Sequence, residues 1–250
     1  MENRTCINLL LLAGQMLLES GAETYRAEDA ALYMYKGLHT GDIHIFAVPT
    51  MILVEMMDED GNIVSGYRRI RRRSTHLGKI ERINEIVRLV SEKQMSAEAA
   101  FDALEAIDKE PAGNLWLNLL ATAATGGAFS LLLGGGIWEM LFSFFCCFVA
   151  QLAGLFFRSV SMYSFFNSVL GGLVPSLFMF FLGRFMPEIL EQTVIVASML
   201  PLFPGVAMIN AIRDAMNGDL LSAVSRAAEA LMIALGLGIG ASLIFLLGAM

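Results

Sequence analysis

The pattern of apolar and polar positions changes character near Asn114. Before it, apolar residues recur at spacings that suit short helices and strands in water; after it, they run together. From Cys6 to Leu18 the apolar positions are interrupted by Asn8 and Gln15 and closed by Glu19, as an amphipathic helix would be, which predicts a helix over 6–20. With Arg4 ahead of it, the same stretch has the outline of a targeting segment, but its apolar run is too short to span a bilayer, and a soluble helix fits better. A second helix is expected over 22–36. Residues 43–48, 51–57 and 63–70 read as short strands. The last two are joined by Asp58-Glu59-Asp60-Gly61-Asn62, where Gly and Asn tolerate the positive φ of hairpin turns. Residues 77–92 are periodic at Ile80, Ile83, Ile86, Val87 and Val90, and Ser96 suits the N-cap of a further helix to about Asp108. Pro111-Ala112-Gly113 then interrupts the pattern.

Beyond this point five stretches carry no formal charge: 111–138, 140–157, 159–183, 192–212 and 230–250. Each is long enough for a helix to cross about 30 Å of hydrocarbon, and in lipid the backbone must satisfy itself, so helices rather than strands are expected. The predicted fold is an α-helical integral membrane protein with about five transmembrane helices, over 115–137, 140–157, 162–182, 190–212 and 228–249. A small α+β cytoplasmic domain precedes them, dividing the chain into 1–112 and 113–250.

Composition sharpens this picture. The chain has 250 residues, of which 56% are hydrophobic and only 16% charged, against about a quarter in soluble domains. Of seventeen Lys and Arg, only Arg158, Arg184, Arg213 and Arg226 follow Asn114. With the N-terminal domain in the cytoplasm and five crossings, Arg184 alone among the basic residues lies outside, as the positive-inside tendency favours, and the C-terminus lies outside. A net charge of −7 gives no reason to expect nucleic acid as a partner. Cys6, Cys146 and Cys147 make no disulfide framework, and His39, His44 and His76 have no metal-ligand spacing. With no nucleophile–base set and no phosphate-cradling glycine loop, neither an enzyme, a metal nor a cofactor is expected.

The most informative segment is Met199-Leu200-Pro201-Leu202-Phe203-Pro204-Gly205, leading to Asn210-Ala211-Ile212-Arg213-Asp214. Two prolines and a glycine within a membrane helix remove donors and invite unwinding. Broken helices at membrane depth expose carbonyls and a helix N-terminus, which transporters use to hold small polar substrates. Pro201, Pro204, Gly205, Asn210, Arg213 and Asp214 are therefore candidate substrate-binding residues. The plainer alternative is a proline kink with Arg213 and Asp214 as a solvated flank. Asn167, near Pro175, is a weaker pathway candidate, and an interhelical hydrogen bond would equally explain it. Gly236 and Gly240 form a small-xxx-small pair, better suited to packing within the chain than to a specific dimer.

In the N-terminal part, Glu23 and Arg26 lie at a helix start, where capping and the helix dipole are the simplest explanation of the acid. Arg68, Arg69, Arg71, Arg72 and Arg73 form the densest charge run. It suits anionic headgroups, a solvated strand end or a docking surface alike.

The order of Ser20-Gly21-Ala22-Glu23-Thr24-Tyr25-Arg26 near the start and Leu202-Phe203-Pro204-Gly205 with Asn210-Ala211-Ile212-Arg213-Asp214 near the end resembles the threonine/serine exporter family. Pro49-Thr50, the arginine run, residues 77–84 and Gly126-Gly127-Ala128-Phe129 fall between them in the family's order. The resemblance covers nearly the whole chain and implies a subunit of a secondary-active exporter of small polar metabolites, most naturally threonine and serine. Some two-subunit relatives are associated with dicarboxylates such as succinate. The chain resembles only the first half of the family's roughly ten-helix transporter, which implies a second-half membrane subunit as partner, with further oligomerisation expected. Carried over, Glu23, Thr24 and Arg26 become gating or coupling residues, with Pro204, Gly205, Asn210 and Asp214 in the membrane motif. The expected setting is the bacterial inner membrane. A non-transporting membrane scaffold or sensor is the rival from another class.

Overall fold

The computed structural model describes residues 3–39, 41–57, 61–71, 73–110, 113–155 and 163–248. Two compact units emerge. The first comprises Met1–Pro111 together with Val206–Ala227, and the second Ala112–Gly205 together with Ala228–Met250.

In the first unit, α1 (Asn3–Glu19) and α2 (Thr24–Leu38) precede the antiparallel sheet β1 (Ile43–Val48), β2 (Met51–Met57) and β3 (Ile63–Arg69), in the order β1-β2-β3. Helices α3 (Leu77–Ser91) and α4 (Ala97–Asp108) follow. The register pairs Val48 with Met51 and Met57 with Ile63. The Asp58–Asp60 part of the expected turn lies outside the described residues, as does Arg72 in the arginine run. Strand β2 alternates, with Ile52, Val54 and Met56 buried, and α1 lies against this face. The approach is close: a Cβ on Gly66 of β3 would stand 2.8 Å from Ile7 and 2.9 Å from Leu11. The sequence predicts an amphipathic α1, but Cys6, Leu9, Leu10, Leu11, Ala13, Leu17 and Leu18 are all buried. Neighbours α2, α3, α4 and the sheet enclose it, so α1 is the central helix of this core. The Ser96 hydroxyl accepts from the Ala99 N–H at 3.2 Å, as its N-cap position predicts.

The second unit is helical. Among the described residues, four helices are long and apolar enough to cross a membrane: α5 (Leu115–Leu132), α6 (Ile137–Gly154), Ser164–Leu182 within α7 (Tyr163–Leu182), and Leu220–Ile244 within α10 (Leu220–Gly248). A fifth span results if α8 (Glu191–Met199) with its 3-10 turn Leu200–Leu202 and α9 (Gly205–Met216) count as one interrupted crossing. The predicted fourth span over 190–212 is thus broken. After the 3-10 turn, Phe203 is extended, and the helix restarts at Gly205. Proline supplies no N–H and disfavours helix in the residue before it, so Phe203-Pro204 is where the helix gives way. Helix α10 starts at Leu220, eight residues ahead of its expected start, and its first residues belong to the first unit.

Large apolar side chains such as Trp116, Leu132, Trp138, Phe181 and Phe185 stand exposed on the second unit, which a lipid-facing surface requires and a water-facing one disfavours. Inside it, small residues bring backbones together. A Cβ on Gly126 of α5 would lie 3.1 Å from Cys147 of α6 and 3.5 Å from the Ala197 carbonyl of α8. A Cβ on Gly236 would lie 2.9 Å from Ser168, and one on Gly240 2.8 Å from the Leu173 nitrogen. The Gly236/Gly240 pair therefore packs α10 on α7 within one chain, as its spacing suggests.

Candidate functional site

The two motifs that lie about 190 residues apart in sequence meet in the first unit. Gly21, with φ of +89°, turns the chain between α1 and α2 in the left-handed region. A side chain there would also press on the Ser74 carbonyl at 3.1 Å. The turn presents two successive carbonyls, and both are taken by the returning segment. Asn210 donates from its amide to the Gly21 carbonyl at 3.0 Å, and Arg226 donates from Nη2 to the Ala22 carbonyl at 2.8 Å.

Next in the chain, Glu23 occupies the N-cap of α2 in extended conformation, but its side chain makes no capping bond. The capping expectation for this acid is thereby corrected. Glu23 instead pairs with Arg213 of α9 and, at 3.5 Å, with Arg26. The capping role passes to Asp214. Its Oδ1 accepts from the Thr24 N–H, and its Oδ2 from the Thr24 hydroxyl, both at 3.3 Å. A fully buried carboxylate thus sits at the N-terminus of α2, where the two Thr24 donors meet it. Arg226, also buried, completes it with Nε 2.9 Å from Asp214 Oδ2.

The result is a chain of alternating charges, Arg26–Glu23–Arg213 beside Asp214–Arg226, with Glu23, Asp214 and Arg226 buried and Arg26 and Arg213 half exposed, which clasps α9 and the start of α10 to the head of α2. Burial pushes the Glu23 carboxyl up, but its backbone hydrogen bond, Arg213 and Arg26 outweigh this and hold it below the ordinary glutamate range. One turn on, Glu28 shifts the other way. Burial raises it, and nearby Asp219, Asp29 and Asp214 add to the rise against the Ala47 N–H bond of 2.7 Å. The arrangement suits holding and releasing a helix rather than bond chemistry.

Of the sequence candidates, Glu23, Thr24, Arg26, Asn210, Arg213 and Asp214 come together here. Pro201, Pro204 and Gly205 belong to the second unit and form the break itself. Asn167 is half-buried on α7 against Gly154 of α6, where a Cβ would lie 2.9 Å from its Cγ. It packs two helices where they touch. Two residues escaped the sequence reasoning in the roles they hold. Arg226, which by sequence suits an anionic substrate group as Arg213 does, instead pairs with Asp214 and Ala22. Glu139 on α6 accepts from the Gly136 N–H at 2.8 Å and from the Leu190 N–H at 3.1 Å, tying the start of α6 to the start of α8. A single acid between two apolar stretches is a signal for such a role. No set of three His, Cys, Asp or Glu able to hold a metal occurs among the described residues.

A family model described as "Putative threonine/serine exporter" matches residues 8–248. The chain belongs to the threonine/serine exporter family. This bears out the resemblance carried by the two motifs, and the family is one of transporters. A protein of Corynebacterium glutamicum named "Threonine/serine exporter" is 25% identical over 95% of this chain and 51% of its own length. A protein of Mycobacterium tuberculosis named "Probable threonine/serine exporter" is 22% identical over 96% of this chain and 46% of its own length. The chain thus spans about half the length of these relatives. No solved structure matches it.

Proposed function

We propose that this family member is one half of a secondary-active exporter of small polar metabolites, threonine and serine foremost, completed by a second-half membrane subunit. The names of the two relatives support the substrate, and the half-length match supports the missing half. Export is driven by the proton motive force rather than by ATP, and the assembly resides in the bacterial inner membrane. Substrate is held where the helix breaks at Pro201–Gly205, since unwound carbonyls and the start of α9 supply polar groups at membrane depth. Asn210 is the side chain assigned to it. Within the first unit its amide bonds to the Gly21 carbonyl, next to Glu23, Thr24 and Arg26, which act as the gating or coupling element.

The observation that carries the topology is the clasp. Arg213 and Arg226 bond to Glu23 and Ala22 within the first unit, which supports a reading in which the segment after α8 lies on the side where the chain begins. An even number of crossings before that return, followed by α10, favours five spans with the C-terminus opposite the first unit. With the first unit in the cytoplasm, Arg184 alone of the basic residues lies outside.

The test is threonine efflux from cells carrying both halves, with Asn210→Ala compared against wild type. Abolished efflux with normal membrane insertion is expected, and unchanged efflux would remove Asn210 from the pathway. Labelling of Asn210→Cys by a membrane-impermeant thiol reagent supports a solvated pathway, whereas complete protection supports a scaffold.

A further inference from the structure

Helices α2 and α3 leave between them an open cavity of about 450 Å³. The clasp does not use it, although the two share Arg26. Its walls carry Arg26 and Asp29 from α2 and Asn84 and Arg88 from α3, with Tyr25 and Tyr33 as aromatic faces. Two guanidinium-bearing residues, one carboxylate and an amide thus line one small volume.

Both cations are held loosely. Arg88 meets Glu92 at 3.4 Å and Arg26 meets Glu23 at 3.5 Å, and each arginine side chain is more than half exposed. The Arg88–Glu92 pair, exposed on both sides, contributes little and exchanges readily for another carboxylate, and the exposed Arg26 guanidinium keeps donors free beyond its contact with the buried Glu23. Arginine is also the side chain whose fork matches a carboxylate in two places.

We propose that this cavity binds a small free α-amino acid, with Arg26 and Arg88 on its carboxylate, Asp29 on its ammonium and the tyrosines against its side chain. Asp29 selects a zwitterion over a dicarboxylate, because a second carboxylate there meets like charge. Volume agrees, since sites for small molecules begin near 300 Å³. Binding has a consequence for the clasp. A ligand carboxylate on Arg26 competes with Glu23 for the same guanidinium, so occupancy changes how firmly Glu23 is held and thereby the hold on Arg213. The cavity is then a sensor of amino-acid concentration, separate from any pathway through the membrane helices.

Isothermal titration of the purified full chain with L-threonine, and separately with succinate, tests this on wild type, Arg88→Gln and Asp29→Asn. Protection of Cys6 from thiol reagents serves as the check of folding. Threonine is expected to bind the wild type, and each substitution to weaken it at least tenfold. Asp29→Asn is expected to leave succinate binding no weaker. Threonine affinity within twofold of wild type in the folded variants overturns the proposal, as does no threonine binding at millimolar concentration. If Arg88→Gln exposes Cys6, Asp29→Asn alone decides. Efflux measured in parallel separates the two readings. Efflux without Asp29-dependent binding defeats the sensor, whereas Asp29-dependent binding without efflux defeats the export reading and leaves the sensor standing.

Discussion

Arg226→Met removes the charge pairing of the clasp together with the hydrogen bond to the Ala22 carbonyl. The native Arg226 is 4% exposed and Asp214 fully buried, with 2.9 Å between Nε and Oδ2. Methionine fills a comparable volume without the charge. It leaves the Asp214 carboxylate buried with the two Thr24 contacts, at 3.3 Å each, as its hydrogen bonds. Removing one partner of a buried ion pair costs about 3–5 kcal/mol, because the other charge stays out of water. That is a large fraction of the roughly 5–15 kcal/mol by which a domain is stable. At about 4 °C per kcal/mol for a unit of this size, the first unit should melt about 10–20 °C lower. A chain of two units does not melt as one transition, so the assay must report on one of them. Cys6 is buried in the core of the first unit, and its labelling during a temperature ramp, with Cys146 and Cys147 replaced by Ala, follows that unit alone. The double variant Arg226→Met/Asp214→Asn removes the stranded charge and should recover more than half of the loss. A single-variant shift below about 3 °C, or no recovery in the double variant, would refute the reasoning.

Other consequences follow from the same geometry. Glu23 has a depressed pKa, so its contribution is complete above the ordinary glutamate value and lost as pH falls through its own; acid should raise the Cys6 labelling rate relative to that of the unfolded chain at the same pH, because the thiolate is the reacting form, and Glu23→Gln should flatten that dependence. Glu28 has a raised pKa, so its ionisation weighs against the fold as pH rises through that value. Glu28→Gln, which keeps an acceptor for Ala47, should raise the melting temperature of the first unit near neutrality and change it little in mild acid. In the second unit, Glu139→Ala strands the Gly136 and Leu190 N–H groups at about 1–3 kcal/mol each, which should appear as faster labelling of the buried Cys146. Gly240→Val drives a side chain into the backbone of α7 at Leu173 and should prevent accumulation of folded protein, whereas Gly238→Ala, with open space around it, should not.

Much of the architecture was legible because local rules decide it. Strand alternation in β2, the Ser96 cap and the apolar lengths of α5, α6 and α7 each follow from neighbouring residues; β2 and α7 lie within a residue of their expected bounds, whereas α5 ends five residues early and α6 is shifted three residues towards the N-terminus. Other features depend on partners distant in sequence. The polar interruptions at Asn8 and Gln15 give α1 an amphipathic pattern, but α2, α3, α4 and the sheet surround it. Pro201 and Pro204 announced a disturbance, yet a kink and a break have the same residues, and only the extended Phe203 distinguishes them. Glu23 at a helix start reads as a cap; that Asp214 takes this role is a matter of tertiary contact. Arg226 pairs with a residue one helix away and with a carbonyl about 200 residues earlier, which no periodicity encodes. The candidate residues were thus identified by type and motif, while their grouping into one clasp needed the fold.

Efflux is the most direct test of the proposed export. Cells loaded with threonine- or serine-containing dipeptides would carry this chain alone, this chain with a second-half membrane subunit, or neither, and succinate would be followed in parallel. Faster loss of threonine and serine only when both chains are present is the expected result. Unchanged pools, with both proteins shown to be in the membrane, would contradict export and favour a scaffold or sensor, and loss of succinate alone would contradict the substrate.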